Sequence, residues 1–285
     1  IRDREIAVQK HDPEFSVQKL DYDDPDTYRM LGQGDTEGVF QLESSGMKQV
    51  LVGLQPQNLE DVIALISLYR PGPMDSIPTY LRNRHEPDKI SYKAPQLAHI
   101  LDVTNGCIVY QEQVMQIVSA LGGFTLGEAD ILRRAMGKKK AKLLDSMKEK
   151  FLDGAQKLHG ISRELGSEIF ALLQHFAGYG FNKSHSAAYA LVAYHTAWLK
   201  ANYPVEYMAA FLNSIITVAD KVSWYIGVCR DMGIQVLPPD INTSEAGFSV
   251  DGHTIRFGLG AIKSVGDAAV TVILEERKKR GPFRD

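Results

Sequence analysis

The stretch YGFNKSHSAAY, residues 179–189, places a lysine, two serines and a histidine where a helix is predicted to begin. The first N–H groups of a helix have no partner within it, and they lie at the positive end of the helix dipole. Lys183, His185 and a hydroxyl from Ser184 or Ser186 would add charge and hydrogen-bond donors at that end. Together these groups predict a binding site for a phosphate.

The same stretch has other interpretations that its residues leave open. In the simplest one, Ser184 caps the helix, His185 lies at the surface, and Tyr189, four residues later on the same helix face, borders the core. A serine nucleophile is disfavoured because the chain has no Gly-x-Ser-x-Gly motif and neighbouring residues on a helix point apart. A metal site is also disfavoured, since His185 and His195 are ten residues apart and no cysteine or carboxylate pair stands at ligand spacing.

A second phosphate-binding pattern is the basic cluster ILRRAMGKKKAK, residues 131–142, which has six bases and no acid. Arg133 and Arg134 can bind phosphate oxygens in a bidentate way. Three consecutive lysines, which would attract a nucleic-acid backbone, are Lys138, Lys139 and Lys140. The alternative is a solvated charged face between two helices, although surface helices normally mix both signs of charge.

Three further motifs carry groups suited to binding. YRPGP, residues 69–73, is a rigid turn that holds Arg70, although a purely structural turn would look the same. YQEQ, residues 110–113, places two amides and a carboxylate at a helix start, where capping alone would explain them. FGLGAIKSVG, residues 257–266, predicts a short helix and a tight turn before a second helix, and the backbone amides of such a turn can hold a DNA phosphate.

These side chains depend on helices to position them, and most of the chain has helical patterns. Asp24-Pro25 is an N-cap followed by proline, Thr125 and Glu128 form a capping box, and Pro71 ends the helix before it. The predicted helices cover residues 25–32, 46–54, 59–68, 110–121, 143–159 and 204–216, with one more opened by Thr125 and another capped by Ser162.

Residues outside these helices have weaker or different patterns. Residues 1–24 are predicted to be irregular and loosely packed. Residues 248–257 alternate like a short β-hairpin with Asp251-Gly252 at its turn. On the predicted helix over 143–159, the apolar stripe that should face the core consists of Leu144, Met147, Phe151, Ala155 and Leu158.

The composition is that of an ordinary globular protein, with 285 residues of which 44% are hydrophobic and 24% charged. No run of about 18 apolar residues predicts a membrane span, no signal-peptide pattern is present, and the missing initial methionine suggests a fragment. Cys107 and Cys229 have apolar neighbours and predict reduced thiols in a cytoplasmic protein. The net charge of −3 combines nine acids against two bases over residues 12–43 with the basic cluster at 131–142, so a local field can still attract a polyanion.

Five collinear motifs resemble one family, the bacterial DNA polymerase III alpha subunits, which are the C-family replicative polymerases. They are GVFQLES (38–44), YRPGP (69–73), YQEQVM (110–115), LRRAMGKK (132–139) and GYGFNKSHSAAY (178–189). PPDIN (238–242) and FGLGAIK (257–263) extend the resemblance over nearly the whole chain.

The resemblance implies a mainly α fold, a multi-helix fingers domain with a small β-hairpin and the first part of a helix-hairpin-helix element near the C-terminus. The implied division is a lead-in from a palm region at 1–24, fingers at 25–243, and a small β element with a partial helix-hairpin-helix module at 244–285. Ser264 departs from the glycine that the hairpin turn commonly has, which puts duplex binding by this piece in doubt.

The same resemblance implies that the fingers bind the incoming deoxynucleoside triphosphate and template-primer DNA during nucleotidyl transfer. The implied nucleotide-binding residues are Arg133, Arg134, Asn182, Lys183, His185, Ser186 and Tyr189. The implied DNA-binding residues are Arg70, Lys138, Lys139, Lys140, Lys263 and Gly266.

No catalytic residue is assigned to this chain, because the family's metal-binding aspartates belong to the palm. The parent enzyme would be a DNA-directed DNA polymerase that uses Mg²⁺ held by palm residues, and this fragment alone is expected to be inactive. The implied partners are DNA, deoxynucleoside triphosphates, and the sliding clamp and other replisome subunits, with no membrane partner. The alternative is a non-enzymatic DNA-binding module.

Overall fold

The chain folds into two compact units, each with its own hydrophobic core. The computed structural model describes residues 1–10, 12–137, 141–177 and 180–284. The terminal unit consists of Ile1–Met30, Thr36–Glu43 and His195–Asp285, and the central unit consists of Leu31–Asp35 and Ser44–Tyr194.

Helices dominate the described residues, and this confirms the mainly α fold class. In chain order they are α1 (Arg2–Gln9), α2 (Pro25–Gln33), α3 (Ser45–Leu54), α4 (Leu59–Leu68), α5 (Ile77–His85), α6 (Ala98–Leu101), α7 (Gln111–Gly122), α8 (Leu126–Gly137), α9 (Ala141–His159), α10 (Arg163–Ala177), α11 (Lys183–Asn202), α12 (Pro204–Ser214), α13 (Ala219–Asp231) and α14 (Asp267–Arg280). Three short strands form one sheet: β1 (Val236–Leu237), β2 (Ser249–Asp251) and β3 (Thr254–Arg256).

Local capping signals locate the helix starts as the sequence predicts. Asp24 caps α2, since its Oδ2 accepts a hydrogen bond from the backbone N–H of Thr27 at 2.9 Å. The capping box before α8 is complete. Thr125 Oγ1 accepts from the N–H of Glu128 at 3.3 Å, and Glu128 Oε2 accepts from the N–H of Thr125 at 3.0 Å. Each bond satisfies a donor that the helix itself leaves unpaired.

The core of the central unit lies among α7, α8, α9 and α10, where Val114, Leu132 and Phe151 are fully buried. Helices α7 and α9 approach so closely that glycine is needed at their contact. A Cβ added to Gly154 would lie 2.1 Å from the carbonyl oxygen of Gly122. The approach therefore depends on the missing side chain at residue 154.

The apolar stripe predicted on α9 is mostly confirmed, and its last member is wrong. Leu144, Phe151 and Ala155 are buried in the core, whereas Leu158 is 55% exposed. Leu158 lies in the last turn of α9, beside Gly123, and α7 has already ended at that level. Leu158 has the spacing of the stripe on α9, but α7, against which the stripe packs, has ended before that level.

The N-terminal segment corrects a second prediction, because residues 1–24 are neither irregular throughout nor loosely packed. Residues Arg2–Gln9 form α1, and Val8, Phe15 and Val17 are buried in the core of the terminal unit. The ring of Phe15 stacks on Trp198 with centroids 5.4 Å apart. Sparse apolar residues among many charges gave no periodic signal, so tertiary packing rather than local pattern stabilises this segment.

The small sheet of the terminal unit confirms the predicted hairpin and adds a strand. β2 and β3 pair antiparallel with Val250 opposite Ile255, and Gly252 at their turn has a φ of 62°. β1 pairs parallel with β3 on its other edge, which the sequence did not predict. After the sheet, a 3-10 helix at Leu259–Ala261 precedes a turn in which Ser264 adopts a φ of 69° before α14 begins.

Candidate functional site

Two helix starts lie side by side in the central unit, because the residues before α11 pair with those before α7. The backbone N–H of Gln111 donates to the carbonyl of Phe181 at 2.9 Å, and that of Phe181 donates to the carbonyl of Val109 at 3.2 Å. The Gln111 side chain adds a bond from Nε2 to the carbonyl of Gly180 at 2.8 Å. These bonds bring residues more than 60 positions apart in sequence to one site.

Of the YQEQ side chains at the start of α7, Gln113 is the one that caps the helix. Its Oε1 accepts from the N–H groups of Val109 at 2.8 Å and Tyr110 at 3.0 Å. Gln111 and Glu112 instead reach the start of α11. Capping therefore explains Gln113, whereas Gln111 and Glu112 connect the start of α7 to that of α11.

The first amides of α11 are occupied by protein side chains. Asn182 Oδ1 accepts from the N–H of His185 at 3.0 Å, so the prediction of Ser184 as the cap is wrong. Because α11 begins at Lys183, Asn182 holds the position before the first turn. The N–H of Lys183 donates to both carboxylate oxygens of Glu112 at 3.1 and 3.2 Å. An anion thus lies at the positive end of the helix, as the dipole favours.

A column of three rings runs along the first turns of α11. The guanidinium of Arg70 lies 4.1 Å from the ring centroid of Phe181, a cation–π distance. Phe181 meets His185 edge to face at 5.2 Å, and His185 meets Tyr189 at 4.6 Å. The prediction that His185 and Tyr189 share one helix face is confirmed, and both side chains are exposed.

The arginine pair on α8 has an acidic partner that the predicted all-basic cluster left out. Asp130, one residue before that cluster, accepts from Arg133 Nη2 through Oδ1 and from Arg134 Nε through Oδ2, both at 2.8 Å. The hydrogen bond from Arg133 is the main cause that lowers the pKa of the Asp130 carboxyl. The Arg134 side chain stays 66% exposed, against 21% for Arg133, whose Nη1 also donates to Gln111 Oε1 at 2.9 Å.

The remaining predicted residues have different surroundings. Lys183 Nζ forms an ion pair with Glu60 at 2.8 Å. Ser186 is fully buried, and its hydroxyl donates to the carbonyl of Lys183 at 3.1 Å. Lys263 and Gly266 belong to the terminal unit, on the exposed turn before α14. Three predicted lysines lie outside the described residues: Lys138, Lys139 and Lys140.

An open cavity of about 670 Å³ lies in front of the ring column. Its lining residues are Arg70, Pro71, Gln111, Gly180, Phe181, Asn182 and His185. Three predicted binding residues thus share one cavity, and Arg133 contacts its wall through Gln111. Sequence reasoning missed Phe181 and Gln111 as site residues. The spacing of four between Phe181, His185 and Tyr189 was the available signal for the ring, and the YQEQ motif was the available signal for Gln111.

Comparison with known proteins identifies the family of the chain. The family model described as the bacterial DNA polymerase III alpha subunit finger domain matches residues 1–159, more than half of the chain. The chain belongs to this polymerase family. A model described as a helix-hairpin-helix motif matches residues 233–285, which include β1 to β3, the Ser264 turn and α14.

Individual relatives match almost the whole length of the chain. It is 50% identical over 99% of its length to the DNA polymerase III subunit alpha of Thermus aquaticus, and 48% identical over 99% to that of Borreliella burgdorferi. It is 47% identical over 96% of its length to that of Escherichia coli strain K12. The chain spans 23%, 25% and 24% of these relatives, about a quarter of each. Within the described part of the chain, no helix is both long and apolar enough to cross a membrane.

Proposed function

We propose that this chain is the fingers region of a bacterial replicative DNA polymerase, where it binds the incoming deoxynucleoside triphosphate and template-primer DNA. The observation that carries the proposal is the cavity in front of α11, where Arg70, Asn182 and His185 meet and to which Gln111 links Arg133. A charged guanidinium and exposed rings beside one cavity suit a ligand that has both phosphates and a planar base.

The proposed roles follow from exposure and charge. Arg134 has an exposed guanidinium and is the best placed to bind the triphosphate, with Arg133 held beside it by Asp130. His185 and Tyr189 present exposed rings, and Asn182 and Lys183 lie at the helix start. Ser186 would contribute by fixing that helix start, since its hydroxyl bonds inside α11. Phosphoryl transfer depends on such positioning and charge stabilisation.

Mg²⁺ belongs to the parent enzyme in this proposal. Among the described residues, no group of three or more His, Cys, Asp or Glu side chains is placed to hold a metal ion. In this proposal the metal is held by palm residues of the longer protein. We expect the isolated chain not to extend a primer, and we place the parent protein in the cytoplasm with the sliding clamp and other replisome subunits as partners.

The test is Arg134→Ala in an intact polymerase III alpha subunit that contains this segment. Loss of a charge-assisted hydrogen bond is worth roughly 1.5–3 kcal/mol, so KM for the nucleotide should rise about 10- to 100-fold, with little change in the Kd for primer-template. Arg163→Ala is the matched control, because Arg163 is another solvent-accessible arginine in ion pairs with acidic side chains but lies on α10. An unchanged KM in the Arg134 variant would refute the proposed nucleotide site.

A non-enzymatic DNA-binding module is the second candidate, favoured by the helix-hairpin-helix match and the four bases in the last turn of α14. For that function, the affinity for DNA should fall steeply as the salt concentration rises, and it should not change when nucleotide is added. Titrating primer-template with and without the matching nucleotide separates the two, because a fingers region should hold the primer-template more tightly when the nucleotide is present.

A further inference from the structure

Gln111 makes three hydrogen bonds to two parts of the candidate site. Its backbone N–H donates to the carbonyl of Phe181 at 2.9 Å, and its Nε2 donates to the carbonyl of Gly180 at 2.8 Å. Its Oε1 accepts from Arg133 Nη1 at 2.9 Å. One side-chain amide therefore joins the arginine of α8 to the segment that leads into α11.

Arg133 is oriented by these contacts. Its Nε and Nη2 donate to Asp130 Oδ1 at 3.1 and 2.8 Å, and its Nη1 donates to Gln111. A guanidinium has five N–H groups, and these bonds use three of them. One N–H on each Nη is left beyond these bonds, and each of them can donate to a phosphate oxygen.

The segment on the other side of Gln111 is equally constrained. A Cβ added to Gly180 would lie 3.2 Å from Cγ of Gln111, so the backbone at residue 180 packs directly on this side chain. Phe181 follows at once and carries the ring column of His185 and Tyr189. A change at Gln111 should therefore alter the position of Arg133 and that of the ring column.

We propose that Gln111 is a positioning residue of the nucleotide site, which acts by holding Arg133 in register with the start of α11. The inference rests on the proposed function of this site. An amide is required because one end must accept from a guanidinium while the other donates to a carbonyl. Glutamate keeps the first bond and loses the second, and methionine loses both while filling a similar volume.

The experiment is a double-mutant cycle in the intact polymerase III alpha subunit, with Gln111→Met, Arg133→Ala and the two combined. KM for the nucleotide, kcat, the Kd for primer-template and the thermal unfolding midpoint are measured for each variant. We expect Gln111→Met to raise KM about tenfold with kcat and the Kd for DNA changing far less, and to add almost nothing in the Arg133→Ala background. Gln111→Glu, which keeps the acceptor for Arg133, should recover part of the loss.

Gln116→Met is the matched control, because Gln116 is an exposed glutamine on the same helix and should leave KM unchanged. If Gln111→Met does not fold, the same cycle is run with Gln111→Ala, which also removes both bonds of the side-chain amide. The positioning role would be overturned if the increases in KM of the two single variants multiply in the double variant. It would also be overturned if KM is unchanged in both Gln111 variants. Either result would leave the proposed function intact. If Arg133→Ala and Arg134→Ala both leave KM unchanged, the proposed function fails, and the positioning role fails with it.

Discussion

Glu112 shows how a single residue can serve the site without being part of a recognisable binding pattern. Its carboxylate accepts the first N–H of α11 from Lys183, while Lys183 Nζ pairs with Glu60. The lysine that was expected to meet a phosphate is therefore flanked by two protein carboxylates. In this arrangement Glu112 has the role that a capping residue has at other helix starts.

Replacing Glu112 with alanine should destabilise the protein by about 1 kcal/mol, because the helix start loses both an acceptor and a favourable charge. Glu112→Gln keeps an acceptor and should cost less. Urea denaturation followed by circular dichroism measures both variants. Equal stability of the alanine variant and the parent protein would show that the bond seen at Lys183 contributes nothing in solution.

At the scale of elements, the contact between α7 and α9 depends on Gly154. Gly154→Ala places a methyl group where the carbonyl oxygen of Gly122 lies, and overpacking of this kind costs roughly 1–3 kcal/mol. Gly127→Ala on α8 is the control, since a Cβ there meets nothing within 4 Å, and it should be neutral or slightly stabilising. The denaturation midpoints of the two variants are compared. Equal midpoints would mean that α7 and α9 can move apart to accept the methyl group without loss of stability.

The capping box of α8 should make stability depend on acid pH. The hydrogen bond from Lys150, together with those from Thr125, lowers the pKa of Glu128 from 4.5 to about 2. Because the folded-state pKa is the lower one, the stabilisation is present above pH 4.5 and is lost as the pH falls toward 2.

The Glu128→Gln variant tests this dependence. Its thermal unfolding midpoint should lie below that of the parent protein at neutral pH, and the difference should shrink between pH 4.5 and 2. Lys150→Met removes the largest cause of the lowered pKa of Glu128, so stability should be lost at a higher pH. If the difference in midpoint between Glu128→Gln and the parent protein stays constant down to pH 2, the lowered pKa of Glu128 does not contribute to stability.

At the scale of the whole molecule, charge is distributed unevenly along a chain whose net charge is only −3. The acid-rich stretch at 12–43 and the basic cluster at 131–142 would favour different partners. Electrostatic binding to DNA should therefore be carried by a few segments rather than by the average charge.

Replacing Lys138, Lys139 and Lys140 with alanine should weaken primer-template binding and flatten its salt dependence. Each lost phosphate contact lowers the slope of log K against log salt by about 0.9, so three contacts would account for about 2.7. Fluorescence anisotropy at several salt concentrations measures the slope, with Lys148 and Lys157 on α9 changed together as the control. An unchanged slope would place the DNA contacts elsewhere.

Most helix bounds and the family could be predicted from the amino-acid sequence, because their signals are local. The capping box at Thr125 and the stop before Pro71 involve residues within a few positions of each other. The β2–β3 hairpin was predictable for the same reason, since Asp251-Gly252 specifies its own turn. Binding roles inferred from the motifs remain predictions, and they are tested by the variants above.

The partner of each site residue could not be predicted in the same way, because it depends on tertiary packing. Arg133 meets Gln111 across 22 positions, and Lys183 meets Glu112 across 71. Such pairs leave no periodic trace in one sequence, because they depend on how α7, α8 and α11 pack. The burial of Val8 in the N-terminal segment has the same origin. The local code specifies where helices begin and end, and packing between distant elements specifies what their side chains face.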